Sequence, residues 1–181
     1  MIQIKPVAPA DIPLLRHIAI QSYRDHYLHL WHDEGDWYIK KCFTLTTLEE
    51  EYNNPNSRFF LLYWDNEPAG FLKINMHAAL GEITAAEGLE LERIYLTKAA
   101  KGKGIGKQAI DLTAAIAIQQ HKKVIWLKAM DSSKDAIAFY EKMGFQLCGT
   151  HYLNFEPMKK EYRGMVVMKK EIIPGFHFKE G

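Results

Sequence analysis

Glycines and lysines alternate in residues 101–107, KGKGIGK, directly before an Ala- and Ile-rich run with helical spacing. A glycine turn that opens a helix points successive backbone amides, and the positive end of the helix dipole, at one spot. The three lysines add positive charge at the same place. This combination predicts a site for a phosphate or pyrophosphate group. The alternative is that the glycines only form a tight turn.

Two common phosphate-binding loops fit this segment poorly. A mononucleotide P-loop has four residues between its glycines, and a Ser or Thr after its Lys. Only three residues separate Gly102 from Gly106, and a glutamine follows Lys107. Residues 104–109 match the loose dinucleotide-binding pattern, but residues 124–127 include no acid that could bind a ribose.

A second pattern lies downstream in residues 133–145, a predicted helix that ends at Gly144. Ala136 and Phe139 are three residues apart and share one helical face, so packing alone accounts for them. Packing does not account for Tyr140, and a phenol with an ordinary pKa of about 10 can donate a proton in catalysis. The alternative is a half-buried tyrosine of an amphipathic helix.

Two carboxylates lie on a predicted strand shortly before the glycine segment. Glu90 and Glu92 are two residues apart, so their side chains project from the same strand face. A carboxylate there, or a water that it orders, could act as a general base, and the pair could attract a cation. The alternative is that both are solvent-exposed or paired with neighbours of Arg93.

A mixed α/β fold must hold these residues in place. Strand 89–96, the glycine segment and helix 107–120 follow one another, and strand 124–130 precedes the helix of Tyr140. The predicted order is β-α-α-β-β-β-α-β-α-β-β. The other elements are a strand over 1–7, helices from Asp11 and over 37–52, and strands over 58–64, 69–76, 145–155 and 162–172.

Composition narrows the class of protein. The chain has 181 residues, 48% of them hydrophobic, which suits a single domain over residues 1–172 with a tail over 173–181. With 23 Lys and Arg against 22 Asp and Glu, no basic field attracts nucleic acid. Cys42 and Cys148 lack disulfide or metal spacing, and no apolar run reaches about 18 residues. We therefore expect a cytoplasmic protein without a membrane span.

The two motifs together resemble the signatures of the GNAT superfamily of N-acetyltransferases. Lys101-x-x-Gly104-x-Gly106 is similar to the Q/R-x-x-G-x-G/A loop, with a lysine in place of the usual Gln or Arg. Residues 133–145 are similar to N-x-x-A-x-x-F/L-Y-x-x-x-G-F, with Ser133 in place of the usual Asn. The resemblance implies an α/β fold with a mixed, mostly antiparallel sheet, helices on both faces and a splay at the acetyl-CoA site.

The resemblance also implies a role for each matching residue. Acetyl-coenzyme A would be the cosubstrate, with loop amides holding its pyrophosphate and the preceding strand its pantetheine arm. Tyr140 would be the general acid and Glu92, favoured over Glu90, the base in a direct transfer to an amine. The residues predicted to bind acetyl-CoA are Ile94, Tyr95, Leu96, Lys101, Gly102, Lys103, Gly104, Ile105, Gly106, Lys107, Ser133, Asp135 and Tyr140.

A narrower resemblance concerns the acceptor. Residues 89–95, 125–127 and 135–145 look like the PaiA-type spermidine/spermine N-acetyltransferases of bacteria, and the likeness spans most of residues 1–170. This implies a polyamine acceptor. The acidic and aromatic residue types of segment 23–37 predict that this segment lines the acceptor pocket. The predicted acceptor-binding residues are Asp25, Trp31, Asp33 and Glu90.

Other functions stay open. Related enzymes acetylate peptide N-termini and lysines, so protein or peptide N-acetylation is the first alternative. A non-catalytic CoA-binding regulatory module is the second. His26, His29 and His32 recur every three residues, but this spacing drifts around a helix and no clear fourth ligand follows, so we expect no metal.

The C-terminal tail over 173–181 contains two phenylalanines. Phe176 and Phe178 would suit docking on a second subunit, which makes a homodimer one expectation. Disorder of the tail is the other.

Overall fold

A single seven-stranded sheet organises residues 1–173, the part of the chain that this computed structural model describes. The strand order is β1-β2-β3-β4-β5-β7-β6, and all neighbours are antiparallel except β4 and β5. The strands are β1 Ile2–Pro6, β2 Ser57–Trp64, β3 Glu67–Asn75, β4 Gly88–Leu96, β5 Val124–Met130, β6 Gln146–Tyr152 and β7 Gly164–Glu171. The helices are α1 Ile12–His26, α2 Asp36–Cys42, α3 Leu45–Asn53, α4 Ile105–Gln119 and α5 Lys134–Lys142.

The predicted helix over 37–52 is wrong in one respect, because it is two helices. α2 ends at Cys42 and α3 begins at Leu45. Between them Thr44 is extended, and its hydroxyl accepts a hydrogen bond from the Thr47 amide at 3.1 Å. A threonine that caps a new helix interrupts the preceding one.

Helices cover both faces of the sheet, which confirms the predicted architecture. Buried residues of α4 pack on one face against Leu72, Ile74 and Leu89, with α5 at the edge of the same cluster. Buried residues of α1, α2 and α3 pack on the other face, around Phe71. The apolar positions of α1 and α4 recur at helical spacing, so each helix buries one stripe.

The sheet opens between β4 and β5. These parallel strands pair only through residues 88–90 of β4 and 124–126 of β5. Further along, β5 continues to pair with β7, and β4 with β3. Within residues 1–173, no strand pairs with this side of β4 beyond Glu90, so its backbone groups there are available to a ligand.

The predicted tail begins at the last of the described residues, so the docking expectation for Phe176 and Phe178 lies outside them. Within the described part of the chain, none of the helices combines the length and hydropathy that crossing a membrane requires.

Candidate active site

The predicted phosphate-binding segment forms the turn that opens α4. Gly102 and Gly104 have φ angles of 78° and 80°, a region in which other residues are strained. Gly104 is the N-cap of α4, and its carbonyl accepts from the Gln108 amide at 3.2 Å. The amides of residues 105–107 come before the first helical donor, so they are available at the helix N-terminus. This arrangement suits a phosphate or pyrophosphate group.

Two residues of the segment anchor it to the core. The Ile105 side chain is 1% exposed, so only its backbone can contact a ligand. Gly106 lies against α5, where an added Cβ would be 3.2 Å from Cζ of Phe139. A glycine at this position therefore lets α4 and α5 approach closely.

The three lysines of the segment are exposed and contact other surface side chains. Lys107 pairs with an aspartate one turn further on at 2.7 Å, and Lys101 with Asp135 at 3.7 Å. The Lys103 ammonium is 5.4 Å from the centroid of the Trp64 ring. Exposed lysines attract an anion without fixing its geometry. Asp135, predicted to bind the cosubstrate, has the charge that repels phosphate, and here it pairs with a lysine.

The end of β4 lies along the opening between β4 and β5, next to the glycine segment. The predicted residues Ile94, Tyr95 and Leu96 all follow the last β4–β5 pair. The Leu96 carbonyl is 3.0 Å from Nε2 of His26, which ties α1 to this end of the strand. The loop amides and the available edge of β4 together fit a pyrophosphate followed by an extended arm with amide groups.

A β-bulge in β4 places charged residues on the face opposite α4. Lys73 is opposite Arg93 and Ile74 is opposite Leu91, so Glu92 is the extra residue. Strict alternation would direct consecutive side chains to opposite faces. With the bulge, Glu92 and Arg93 contact each other, with 3.3 Å from Oε1 to Nη2.

Glu51 of α3 and Lys73 of β3 join Glu92 and Arg93 in a balanced charge cluster. The Lys73 ammonium is 2.9 Å from Oε2 of Glu51 and 2.7 Å from Oε2 of Glu92. Arg93 donates to both carboxylate oxygens of Glu51, at 2.7 and 3.2 Å. Both cations are buried, so their charges depend on these partners.

Glu90 and Glu92 share one hydrogen-bond donor but differ in charge environment. The Asn75 amide donates to Oε2 of Glu90 at 2.8 Å and to Oε2 of Glu92 at 2.7 Å. Burial raises the pKa of Glu90 above its ordinary value. Burial would also raise the pKa of Glu92, but Arg93 and Lys73 outweigh it, and the pKa is lowered. Glu90 is therefore the carboxylate with the stronger tendency to accept a proton.

Tyr140 lines the same cavity as both carboxylates, a space of about 380 Å³. Its ring centroid is 5.9 Å from that of Phe145. Burial raises the pKa of the phenol above its ordinary value, and the nearby Tyr27 contributes less. Tyr140 therefore keeps its proton at neutral pH. Ser133, the N-cap of α5, lines the cavity as well.

Aromatic side chains form much of the cavity wall. The predicted Trp31 is 2% exposed, and its Nε1 donates to the Tyr23 hydroxyl at 2.7 Å. Burial raises the pKa of Tyr23, so this phenol is neutral. The aromatic residues that line the cavity besides Tyr140 are Tyr23, Tyr27, Trp31, Tyr38, Tyr95 and Phe155.

Two of the four predicted acceptor-binding residues lie away from this cavity. Asp25 accepts a hydrogen bond from the Lys98 amide at 2.7 Å. Asp33 accepts from the amides of Gly35 at 3.1 Å and Trp37 at 2.7 Å. Asp33 therefore stabilises the local turn before α2. Asp25 ties α1 to the short helical turn that begins at Lys98. Within residues 1–173, no three His, Cys, Asp or Glu side chains converge in a way that would hold a metal ion.

Sequence analysis missed several residues that line the cavity. Lys128 interrupts the apolar run of β5 two residues after Trp126, so both side chains lie on the same face of the strand. A single charge within an otherwise apolar strand could have indicated a functional residue. Phe155 and Met158 come from the connection between β6 and β7, where no periodic pattern predicts orientation. A bridge between Trp31 and Met158 brings that connection to the cavity.

Comparisons with known proteins agree with this geometry. Residues 15–145 match the acetyltransferase (GNAT) family. The chain is 28% identical over 151 residues to an uncharacterised N-acetyltransferase of Lactobacillus delbrueckii subsp. lactis, covering 83% of this chain and 87% of that protein. It is 25% identical over 112 residues to the spermine/spermidine N(1)-acetyltransferase of Bacillus subtilis strain 168, covering 61% and 68%.

The fold is also similar to that of a solved structure, the PaiA N-acetyltransferase of Thermoplasma acidophilum in complex with coenzyme A. The TM-score is 0.73 at 19% identity, covering 94% of this chain and 99% of that one. At this identity the likeness concerns the fold alone. The family match, the glycine turn and the open sheet agree, and they confirm that acetyl-coenzyme A is the cosubstrate. The chain therefore belongs to the GNAT family of acetyltransferases.

Proposed function

We propose that this enzyme transfers an acetyl group directly to a primary amine bound in the cavity described above. The observation that carries the proposal is that a carboxylate, Glu90, and a phenol, Tyr140, line one cavity from different elements. An attacking amine must lose a proton and a departing thiolate must gain one, so the reaction calls for two such groups.

Glu90 is the proposed base, in preference to Glu92. A base is most effective when its pKa lies near the working pH, and burial moves the pKa of Glu90 in that direction. Glu92 is held by Lys73 and Arg93, and its protonation would weaken two buried ion pairs. Glu92 therefore acts as a positioning residue that keeps β4 and Asn75 in place.

Tyr140 is the proposed acid. When bound, acetyl-coenzyme A supplies the acetyl group as a thioester. Glu90 takes a proton from the amine as the N–C bond forms, and Tyr140 gives its proton to sulfur as the C–S bond breaks. The products are an N-acetylated amine and a free thiol. Glu90 then releases its proton to solvent and Tyr140 regains one, which restores the enzyme.

Direct transfer is supported by the state of the thiol at the cavity. Cys42 lines the cavity, but burial raises its pKa, which disfavours the nucleophilic thiolate. Cys148 is exposed on β6 and does not line the cavity. An acetylated cysteine is therefore not part of the proposed route.

A polyamine is one candidate acceptor. Its support is the 25% identity to the Bacillus subtilis spermine/spermidine enzyme and the aromatic wall, which can contact ammonium groups. Asp25 and Asp33 would not contribute, because they bind backbone amides away from the cavity. Peptide amines are the other class to be tested.

The test is release of coenzyme A thiol from acetyl-CoA with spermidine, 2-phenylethylamine and a lysine-containing peptide, alongside calorimetric titration with coenzyme A. We expect turnover with at least one free amine, and a matching N-acetylated product by mass spectrometry. Tight binding of coenzyme A without turnover of any amine would contradict the proposal and favour a regulatory module.

A further inference from the structure

The acceptor cavity contains a cation that the proposed mechanism does not use. Four charged residues line the cavity, namely Glu90, Glu92, Arg93 and Lys128. Glu92 and Arg93 are neutralised within the charge cluster. Within residues 1–173, Lys128 forms no ion pair, and its ammonium is 5.7 Å from the centroid of the Trp126 ring. Glu90 and Lys128 are thus the two charges that an acceptor meets.

The strand register explains why these two charges are neighbours. Glu90 is opposite Trp126 in the last β4–β5 pair. Lys128 follows two residues later on the same strand face, about 7 Å along β5, where the two strands have separated. The positive charge of Lys128 also lowers the pKa of Glu90, against the larger effect of burial, so the two charges interact. They border one opening in the sheet.

This pair of charges suits a zwitterion better than a polycation. An ammonium group next to Glu90 would have its anionic substituent within reach of Lys128. A second or third ammonium would instead meet a lysine of like charge, in a cavity whose lining charges sum to zero. The rest of the wall is aromatic or apolar and includes Tyr27, Trp31 and Phe155. Such a wall suits an apolar side chain.

We propose that Lys128 binds the carboxylate of the acceptor and that the enzyme selects amino acids with apolar or aromatic side chains over polyamines. This inference rests on the proposed function, because it concerns the acceptor of the same site. Lys128 is then a specificity-determining residue, whereas Glu90 and Tyr140 serve every amine.

The first experiment uses the unmodified enzyme. Steady-state kinetics with L-phenylalanine, L-phenylalaninamide, 2-phenylethylamine and spermidine compare acceptors that differ in charge. We expect kcat/KM for L-phenylalanine to exceed that for the two carboxylate-free aromatic amines by at least about tenfold, the usual effect of a charge-assisted hydrogen bond. Equal values, or a preference for spermidine, would overturn the inference while leaving the proposed function intact.

The second experiment uses variants of the lysine. Lys128→Met should raise KM for L-phenylalanine by about tenfold or more and leave that for 2-phenylethylamine unchanged. Lys128→Arg should restore most of the discrimination, and Lys160→Met, at an exposed lysine outside the cavity, should match the unmodified enzyme. Equal losses for both acceptors in Lys128→Met would refute carboxylate binding. Turnover of no amine by the unmodified enzyme would overturn the proposed function as well.

Discussion

The glycine segment 101–107 and the charge cluster of Glu51, Lys73, Glu92 and Arg93 both concentrate charge, but they hold it differently. The segment offers backbone amides and exposed lysines, and its geometry comes from two glycines with positive φ. The cluster uses side chains from three elements, and its cations are buried with their partners.

The two regions should therefore respond differently to substitution of their charged residues. Exposed charges interact weakly because water and salt screen them, so changes to the lysines should have small effects. Buried charges lack water as an alternative partner, so loss of one partner affects stability. Substitution of side chains in the glycine segment should therefore change cosubstrate binding little. Substitution of a residue in the buried charge cluster should have a larger effect.

The largest effect is expected at the proposed base. Glu90→Gln should lower kcat by about 100-fold or more, because general base catalysis contributes at least this much. In the unmodified enzyme kcat/KM should rise as pH rises through the raised pKa of Glu90, since only the carboxylate accepts a proton. The variant should lose this dependence. An unchanged pH profile in Glu90→Gln would exclude the carboxylate as the base.

Tyr140→Phe should have the next largest effect. Loss of the phenol proton should lower kcat by about 100-fold and leave KM for acetyl-CoA nearly unchanged. Tyr162→Phe, at a tyrosine that does not line the cavity, is the matched control. If leaving groups of lower pKa restored none of the lost rate, Tyr140 would not be the acid.

Glu92→Gln should act on stability more than on chemistry. Two buried cations lose one partner but keep Glu51, so we expect a loss of about 2 kcal/mol in urea unfolding. The folded pKa of Glu92 is lowered, so its contribution is present above the unfolded pKa and disappears as pH falls through the folded pKa. The exposed Glu82→Gln should be neutral. A stable but inactive Glu92→Gln would instead favour Glu92 as the base.

Gly104→Ala tests whether the backbone geometry of the glycine turn determines the affinity for acetyl-CoA. A φ of 80° is strained for alanine by roughly 1–2 kcal/mol, and relaxation would turn the amides away from the anion. We expect about a tenfold rise in KM for acetyl-CoA. Gly149→Ala, where the added Cβ meets only ordinary contacts, is the control. Equal KM values in the two variants would mean that the turn does not position the ligand.

The smallest effect is expected for the exposed lysines. Lys101→Ala and Lys107→Ala should each raise KM for acetyl-CoA less than about threefold at physiological salt, with a larger change at low ionic strength. Titration of KM against salt concentration measures this. A salt-independent tenfold loss would show that a lysine contacts the phosphates directly.

Sequence alone determined the features of this protein that are local. One such feature is the glycine turn before the apolar stripe of α4, and another is the residue spacing around Tyr140 in α5. Both depend only on residues a few positions away in the chain. The element order followed from the same periodicities, apart from the break at Thr44, where a threonine cap competes with continuation of the helix.

Only the tertiary structure decided which charges meet. The alternation of side chains along a strand does not predict the bulge that turns Arg93 towards Glu92. It also does not predict that Glu51 and Lys73 approach from other elements. Asp33 is an exception, because its carboxylate binds the amides of Gly35 and Trp37, which are close in sequence. The carboxylate of Asp25, in contrast, binds the amide of Lys98, which is distant in sequence and which local composition could not reveal. Long-range pairing and burial set these outcomes, because the pKa and partner of a charge depend on whatever the fold brings against it.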